Sequence, residues 1–242
     1  LSLPPPSALI GLPKFGEWYP GQDMTFSRVM DWVSSPYRFL GLEAPTGSGK
    51  SLIATLVGTL SSRRTVILTA TKGLQSQLLH DFEDVGLFDI RGQNNYACLL
   101  GADSGLRVDE GQCKLGLPCP HKRSGCLYYD RVRDLKSARL IVTNYAYWLS
   151  QMAYSEDKFG DPVELLIMDE AHLAFKSLES FLAVSLNRVE LESAGARFPV
   201  APYSDWVAWV EWSKSAHSCA VAKLEQLKQE ASARREESGH VP

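Results

Sequence analysis

One ten-residue run limits this chain more than any other. LEAPTGSGKS (42–51) joins an apolar segment that reads as a buried strand, FLGLE (39–43), to one that reads as a helix, SLIATLVGTL (51–60). A strand, a glycine-bearing turn and a helix in that order aim successive backbone N–H groups at whatever anion sits on the helix N-terminus. Gly47 and Gly49 let the backbone curl tightly enough to do so. The candidate phosphate-binding residues are therefore Pro45, Thr46, Gly47, Ser48, Gly49, Lys50 and Ser51. Lys50 is placed to reach the outer phosphates of a nucleoside triphosphate, and the Ser51 hydroxyl to ligate Mg²⁺. Ala44 stands at the first position of the generic motif, where glycine is usual.

The rest of the first 175 residues alternates in the same way. A helix is expected over 22–33, a strand over 65–70, a helix over 72–85, and short buried strands over 139–144 and 164–170. Strands alternating with helices predict an α/β fold with a mainly parallel sheet. Residues 1–20, rich in Pro and aromatics, read as an extended lead-in, and the pattern from 173 onward is wholly helical. Trp206, Trp209 and Trp212 recur every three residues there and read as packing more than as a base-stacking ladder. The last eight residues are expected to fray.

Composition narrows the class. With 25 Lys+Arg against 28 Asp+Glu the formal charge is −3, which argues against a broad basic coat but leaves room for a local patch. No apolar run approaches a membrane span of about 20 residues. The N-terminus has neither a basic leader region nor an initiator Met, so an intracellular fragment is expected.

LLIMDEAH (165–172) is an apolar strand ending in two carboxylates. Beside a phosphate loop, Asp169 is expected to hold Mg²⁺ and Glu170 to deprotonate the attacking water. Taken alone the pair reads equally as a helix cap. The tetrad resembles the second motif of superfamily 2 helicases, and that resemblance implies that His172 couples the nucleotide site to nucleic acid.

Residues 92–138 break the α/β plan with a Gly-, Cys- and polar-rich insertion. Cys98, Cys113, Cys119 and Cys126 supply four thiolates, a set that suits tetrahedral zinc or an iron–sulfur cluster. The wide spacing fits the bulkier cluster better, because structural zinc sites usually use closely spaced pairs. The fifth cysteine, Cys219, reads as a small buried hydrophobe.

EAPTGSGKS, four cysteines, VTNYA (142–146) and DEAH occur in that order. Together they resemble the XPD/DinG-like iron–sulfur DNA helicases over residues 15–175. YPGQ (19–22) resembles their adenine-reading motif, with Gln22 as the reader, and TATKGLQSQL (69–78) resembles their motif Ia. The resemblance implies a RecA-like motor lobe over 1–92 and 139–175, a [4Fe–4S] insertion over 93–138, and the helical start of an arch domain over 176–242. It also implies ATP as substrate, 5′→3′ movement on single-stranded or forked DNA, and a second lobe in cis beyond this chain. A monomer acting in the cytoplasm, or in the nucleus of a eukaryote, is expected.

Lys122, Arg123 and Tyr128 combine cations with an aromatic in the manner of a single-strand groove. Thr71, Lys72, Gln75, Asn144 and Tyr145 fall just past strand ends, where such motors touch the DNA backbone. Thr and Asn there serve equally well as helix caps. Two rivals stand beside the helicase reading. One is an iron–sulfur ATP- and DNA-binding module without unwinding activity; the other is a zinc-bearing P-loop ATPase acting on RNA.

Overall fold

TVILT and LIVTN carry no charge and bury all of their residues, as strands covered on both faces must. The structure is a computed structural model. It describes residues 3–100, 105–155, 159–160, 162–198 and 204–237. In it these runs form β1 (Thr65–Thr69) and β3 (Leu140–Asn144), paired in parallel from Thr65 against Leu140 to Thr69 against Asn144. β4 (Leu165–Met168) pairs in parallel on the other side of β1, and the two-residue β2 (Phe88–Asp89) adds to β3. The order β2-β3-β1-β4 makes an all-parallel sheet, the architecture of a RecA-like helicase lobe.

Both faces of β1 and β3 are covered. Ile67 and Val142 join Leu52, Ile53, Leu56 and Val57 of helix α3 (Lys50–Leu60) on one face, with Phe26 and Val33 of α2 (Gln22–Val33) behind them. Val66, Leu68 and Ile141 turn the other way, as alternate strand residues must, and meet Tyr145 and Tyr147 of α6 (Tyr145–Tyr154). Helix α4 (Lys72–Asp81) ends four residues earlier than its periodicity suggests, and a 3₁₀ turn, Glu83–Val85, takes over.

FLGLE departs from expectation. It forms no strand; Phe39 is 89% exposed and Leu40 and Leu42 are exposed as well. Its apolar side chains line a cavity of about 520 Å³ with Leu166 and Met168 of β4 instead of pairing with that strand's outer edge. The lead-in also differs, since Pro6–Ile10 form a short helix, α1, with Pro at its first position.

The insertion shares the sheet's core. Tyr96, Val108, Cys126, Tyr128 and Leu135 are buried in the same cluster as Val66 and Ile141, so apolar burial contributes to its folding before any metal is considered. Helix α5 (Leu127–Asp134) closes it. Arg64 ties this end of the insertion down. Its guanidinium, on a residue only 7% exposed, donates to the carbonyls of Leu135 (2.9 Å), Ala138 (3.0 Å) and Phe159 (2.6 Å).

The chain divides into two compact units, Leu1–Leu182 and Ala183–Pro242, and α7 (Ala174–Leu182) belongs to the first. The second holds α8 (Arg188–Ser193), capped by Asn187, and the long α9 (Trp206–Glu237). Within it Trp212 packs against Phe198, with ring centroids 4.7 Å apart and the planes tilted by 36°, and donates to the Arg197 carbonyl, while Trp206 is exposed. Cys219, expected to be buried, is half-buried. Of the tail expected to fray, residues 238–242 lie outside the described residues. No helix among the described residues is long and apolar enough to cross a membrane.

Arg64→Met should lower the stability of the chain by about 3 kcal/mol, because three buried carbonyls lose a charged donor. The exposed Arg188→Met, which loses one surface pair and a contact over the Phe198 ring, should change it by under about 1 kcal/mol. Urea unfolding of both variants reads the difference; equal midpoints would remove Arg64 as the clamp.

Candidate active site

A parallel sheet puts the C-terminal ends of its strands along one edge. β1 leads there into Thr71, β3 into Tyr145, and β4 into Asp169 and Glu170. The glycine turn before α3 lies on the same side. Thr46, Gly47, Gly49, Lys50, Ser51, Asp169 and Glu170 line one cavity of about 650 Å³, together with Tyr19 and Gln22. The sequence-predicted loop and carboxylates thus meet across a single opening.

The backbone of the loop suits an anion. Gly47 and Gly49 stand at φ +81° and +79°, in the left-handed region that favours glycine. Gly49 brings no side chain to cap α3, so the first N–H groups of that helix remain for an anion. Lys50 Nζ donates to the carbonyls of Ala44 (2.9 Å) and Pro45 (3.1 Å), both within its own loop. Ser48 Oγ is buried with no hydrogen-bond partner. An orphaned hydroxyl and a lysine spent on loop carbonyls fit a phosphate chain that would engage both.

Burial raises the Asp169 carboxyl above the usual range; the Glu170 charge adds to the rise, and a backbone hydrogen bond and Lys50 oppose it. A carboxylate short of counter-charge beside a phosphate loop suits a divalent cation held with Ser51. Glu170 takes φ +49°, unusual for a residue with a side chain. His172 Nδ1 lies 3.3 Å from the Glu170 carboxylate.

Gln22 is buried and spent on the protein. Its Oε1 accepts from the Tyr19 N–H (3.1 Å) and its Nε2 donates to the Ser48 carbonyl (3.2 Å), so it clasps the phosphate loop in this structure.

Several candidate nucleic-acid residues are placed inside the protein. Gln75 is fully buried, donating to Asp89 (2.5 Å) and the Ile90 carbonyl (3.1 Å). It accepts from Asn144 Nδ2 at 3.1 Å, and Asn144 in turn caps α6 through the Tyr147 N–H. Thr71 caps α4 by accepting from the Leu74 N–H. Tyr145 is 3% exposed, and Tyr128 is buried between Tyr96 and Tyr129. Lys72, Lys122 and Arg123 are exposed, with Lys122 over the Tyr129 ring at 5.2 Å.

Cys98 and Cys126 are buried; Cys113 and Cys119 are half-buried. A Cβ added at Gly111 would lie 3.0 Å from Cys98 Sγ and 3.7 Å from Cys113 Sγ, so two sulfurs flank one cradle that glycine keeps open. Four thiols fit an iron–sulfur cluster in kind. Among the described residues no three such ligands converge as tightly as a bound metal ion requires.

Sequence reasoning missed the Tyr145 hydroxyl, which donates to the Asp169 carbonyl at 3.0 Å. It also missed Lys14, Glu17 and Asp81, which line the cavity of Lys50 and Asp169 without belonging to any motif, and Gln77, which lines it from within the motif Ia run. A family model described as Type III restriction enzyme, res subunit matches residues 16–192, well over half of the chain. No curated protein matches it.

Gly49→Ala should destabilise the ligand-free chain more than Gly47→Ala. Both pay for an alanine at positive φ, of order 1–2 kcal/mol. Only at Gly49 does the new Cβ run into Gln22 Nε2, whereas the space at Gly47 is open. Thermal denaturation without nucleotide decides it, and equal melting points would mean that Gln22 does not clasp the loop.

Proposed function

The chain belongs to the Type III restriction enzyme, res subunit family, a superfamily 2 helicase-like domain; from that premise we propose that it is the ATP-hydrolysing lobe of a DNA helicase. The observation that carries the reading is the single cavity shared by Lys50, Ser51, Asp169 and Glu170. On this reading the triphosphate draws Lys50 Nζ off the Ala44 and Pro45 carbonyls and onto its outer oxygens. Ser51 and Asp169 would hold Mg²⁺, which supplies charge neutralisation at the phosphates. Glu170 accepts the proton of the attacking water, and His172 lies against its carboxylate.

The substrate strand is single-stranded DNA, tracked 5′→3′, in keeping with the resemblance to the XPD/DinG-like helicases. Lys72, Lys122 and Arg123 are exposed cations suited to its phosphates. Gln75, Asn144 and Tyr145 support that surface from within rather than touching DNA, since each is buried. Cys98, Cys113, Cys119 and Cys126 would hold a [4Fe–4S] cluster, which would tie the loops of the insertion together. Its support is the four-thiol donor set and the Gly111 cradle between two of the sulfurs.

Lys50→Ala should cut ATP turnover about 10²-fold or more, because it removes a cation from the developing phosphoryl charge. Glu170→Gln should slow turnover about 10²–10⁴-fold yet still bind Mg²⁺–ATP, since shape is kept and the base is lost. ATPase assays with and without single-stranded DNA, paired with nucleotide titrations, test both; near-wild-type turnover in Lys50→Ala would sink the phosphate-loop assignment.

Cys→Ser at each of the four positions should abolish iron and acid-labile sulfide in anaerobically purified protein while nucleotide binding persists. Zinc in place of iron, or full iron in Cys126→Ser, would refute the cluster.

A further inference from the structure

Tyr145 is the first residue of α6, and its ring is buried in the core on the insertion side of the sheet. Its hydroxyl leaves that core to meet the backbone of the DEAH turn, donating to the Asp169 carbonyl at 3.0 Å across 24 residues of chain. The Asp169 N–H meanwhile donates to the Leu68 carbonyl of β1 at 2.9 Å. Asp169 is thus tethered on both sides, by a strand through its N–H and by a side chain through its C=O.

The carbonyl that Tyr145 holds belongs to the peptide plane leading into Glu170. That plane's orientation sets φ at Glu170, which is +49°. A residue with a side chain stays in this region only where its surroundings over-determine it. From the geometry we infer that Tyr145 is a positioning residue for the DEAH turn, holding Asp169 and Glu170 in register for hydrolysis rather than contacting nucleic acid. The inference rests on the reading of this site as an ATPase.

Two further observations support it. At 3% exposure the residue offers no face to a DNA base. The N-terminus of α6 is fixed in turn by Asn144, which caps it and donates to Gln75, itself bonded to Asp89 and the Ile90 carbonyl. The hydroxyl is therefore presented from a rigid support, and the DEAH turn conforms to it.

Tyr145→Phe keeps the ring and removes only the tether. The expected result is a three- to tenfold fall in kcat for ATP, the range that one hydrogen bond spans, with KM changed less than twofold. Amide exchange at Glu170 and Ala171 should quicken by a similar factor while the amides of β1 and β3 keep their protection. An unchanged kcat, a raised KM with kcat intact, or a uniform loss of protection across the sheet would each overturn the inference. A wild-type chain without ATP turnover would instead defeat the functional reading, and the exchange comparison would still decide whether Tyr145 holds the turn.

Discussion

The parallel pairing of β1 with β3 and β4 is the constraint on which everything else depends. Thr65–Thr69 against Leu140–Asn144, and Thr65–Leu68 against Leu165–Met168, align three strand ends at one edge. A slip of one residue would turn Val66 and Leu68 out of one core and Ile67 out of the other. Because both faces are covered, that slip is strongly opposed, and the register fixes where Thr71, Tyr145 and Asp169 stand. Chemistry at the edge follows from burial beneath it.

Above that edge lies a polar layer with almost no freedom. Gln75, Asn144, Asp89 and the carbonyl of Ile90 satisfy one another in the interior, and Arg91 pairs with Asp89 at 3.1 Å from the half-buried side. Buried groups joined in this way are rigid, because loosening one strands the others without partners. Against this rigid layer stand two groups poised to change. Lys50 is bonded to its own loop, and Ser48 Oγ has no partner. On the proposed reading, the carboxylates stay in place and the phosphate loop responds to nucleotide.

How much of this the sequence carries depends on the range of the interaction concerned. The phosphate loop is legible because Gly47, Gly49 and Lys50 act within one turn of chain. The position of Asp169 and Glu170 is legible because they follow an apolar run that forms β4, which delivers them to the cavity of the glycine turn. FLGLE misleads because pairing is not local: its apolar residues indicate burial, yet they line a cavity along β4 instead of joining its ladder. The helix Tyr145–Tyr154 carries four aromatics in YAYWLSQMAY, a composition that favours strands, and only the Asn144 cap announces it. Gln75 and Tyr145 lie in helical runs whose pattern says nothing of where a side chain ends. Their partners, Asn144 and Asp169, are distant in sequence.

The central claim is that Lys50 and Asp169 close on one triphosphate, and a crystal structure with Mg²⁺ and a non-hydrolysable ATP analogue tests it most directly. The account predicts Lys50 Nζ on the outer phosphates and away from the Ala44 and Pro45 carbonyls, the metal between Ser51 and Asp169, and the Asp169 carbonyl still held by Tyr145. A nucleotide bound elsewhere, with Lys50 still on its loop carbonyls, would contradict it.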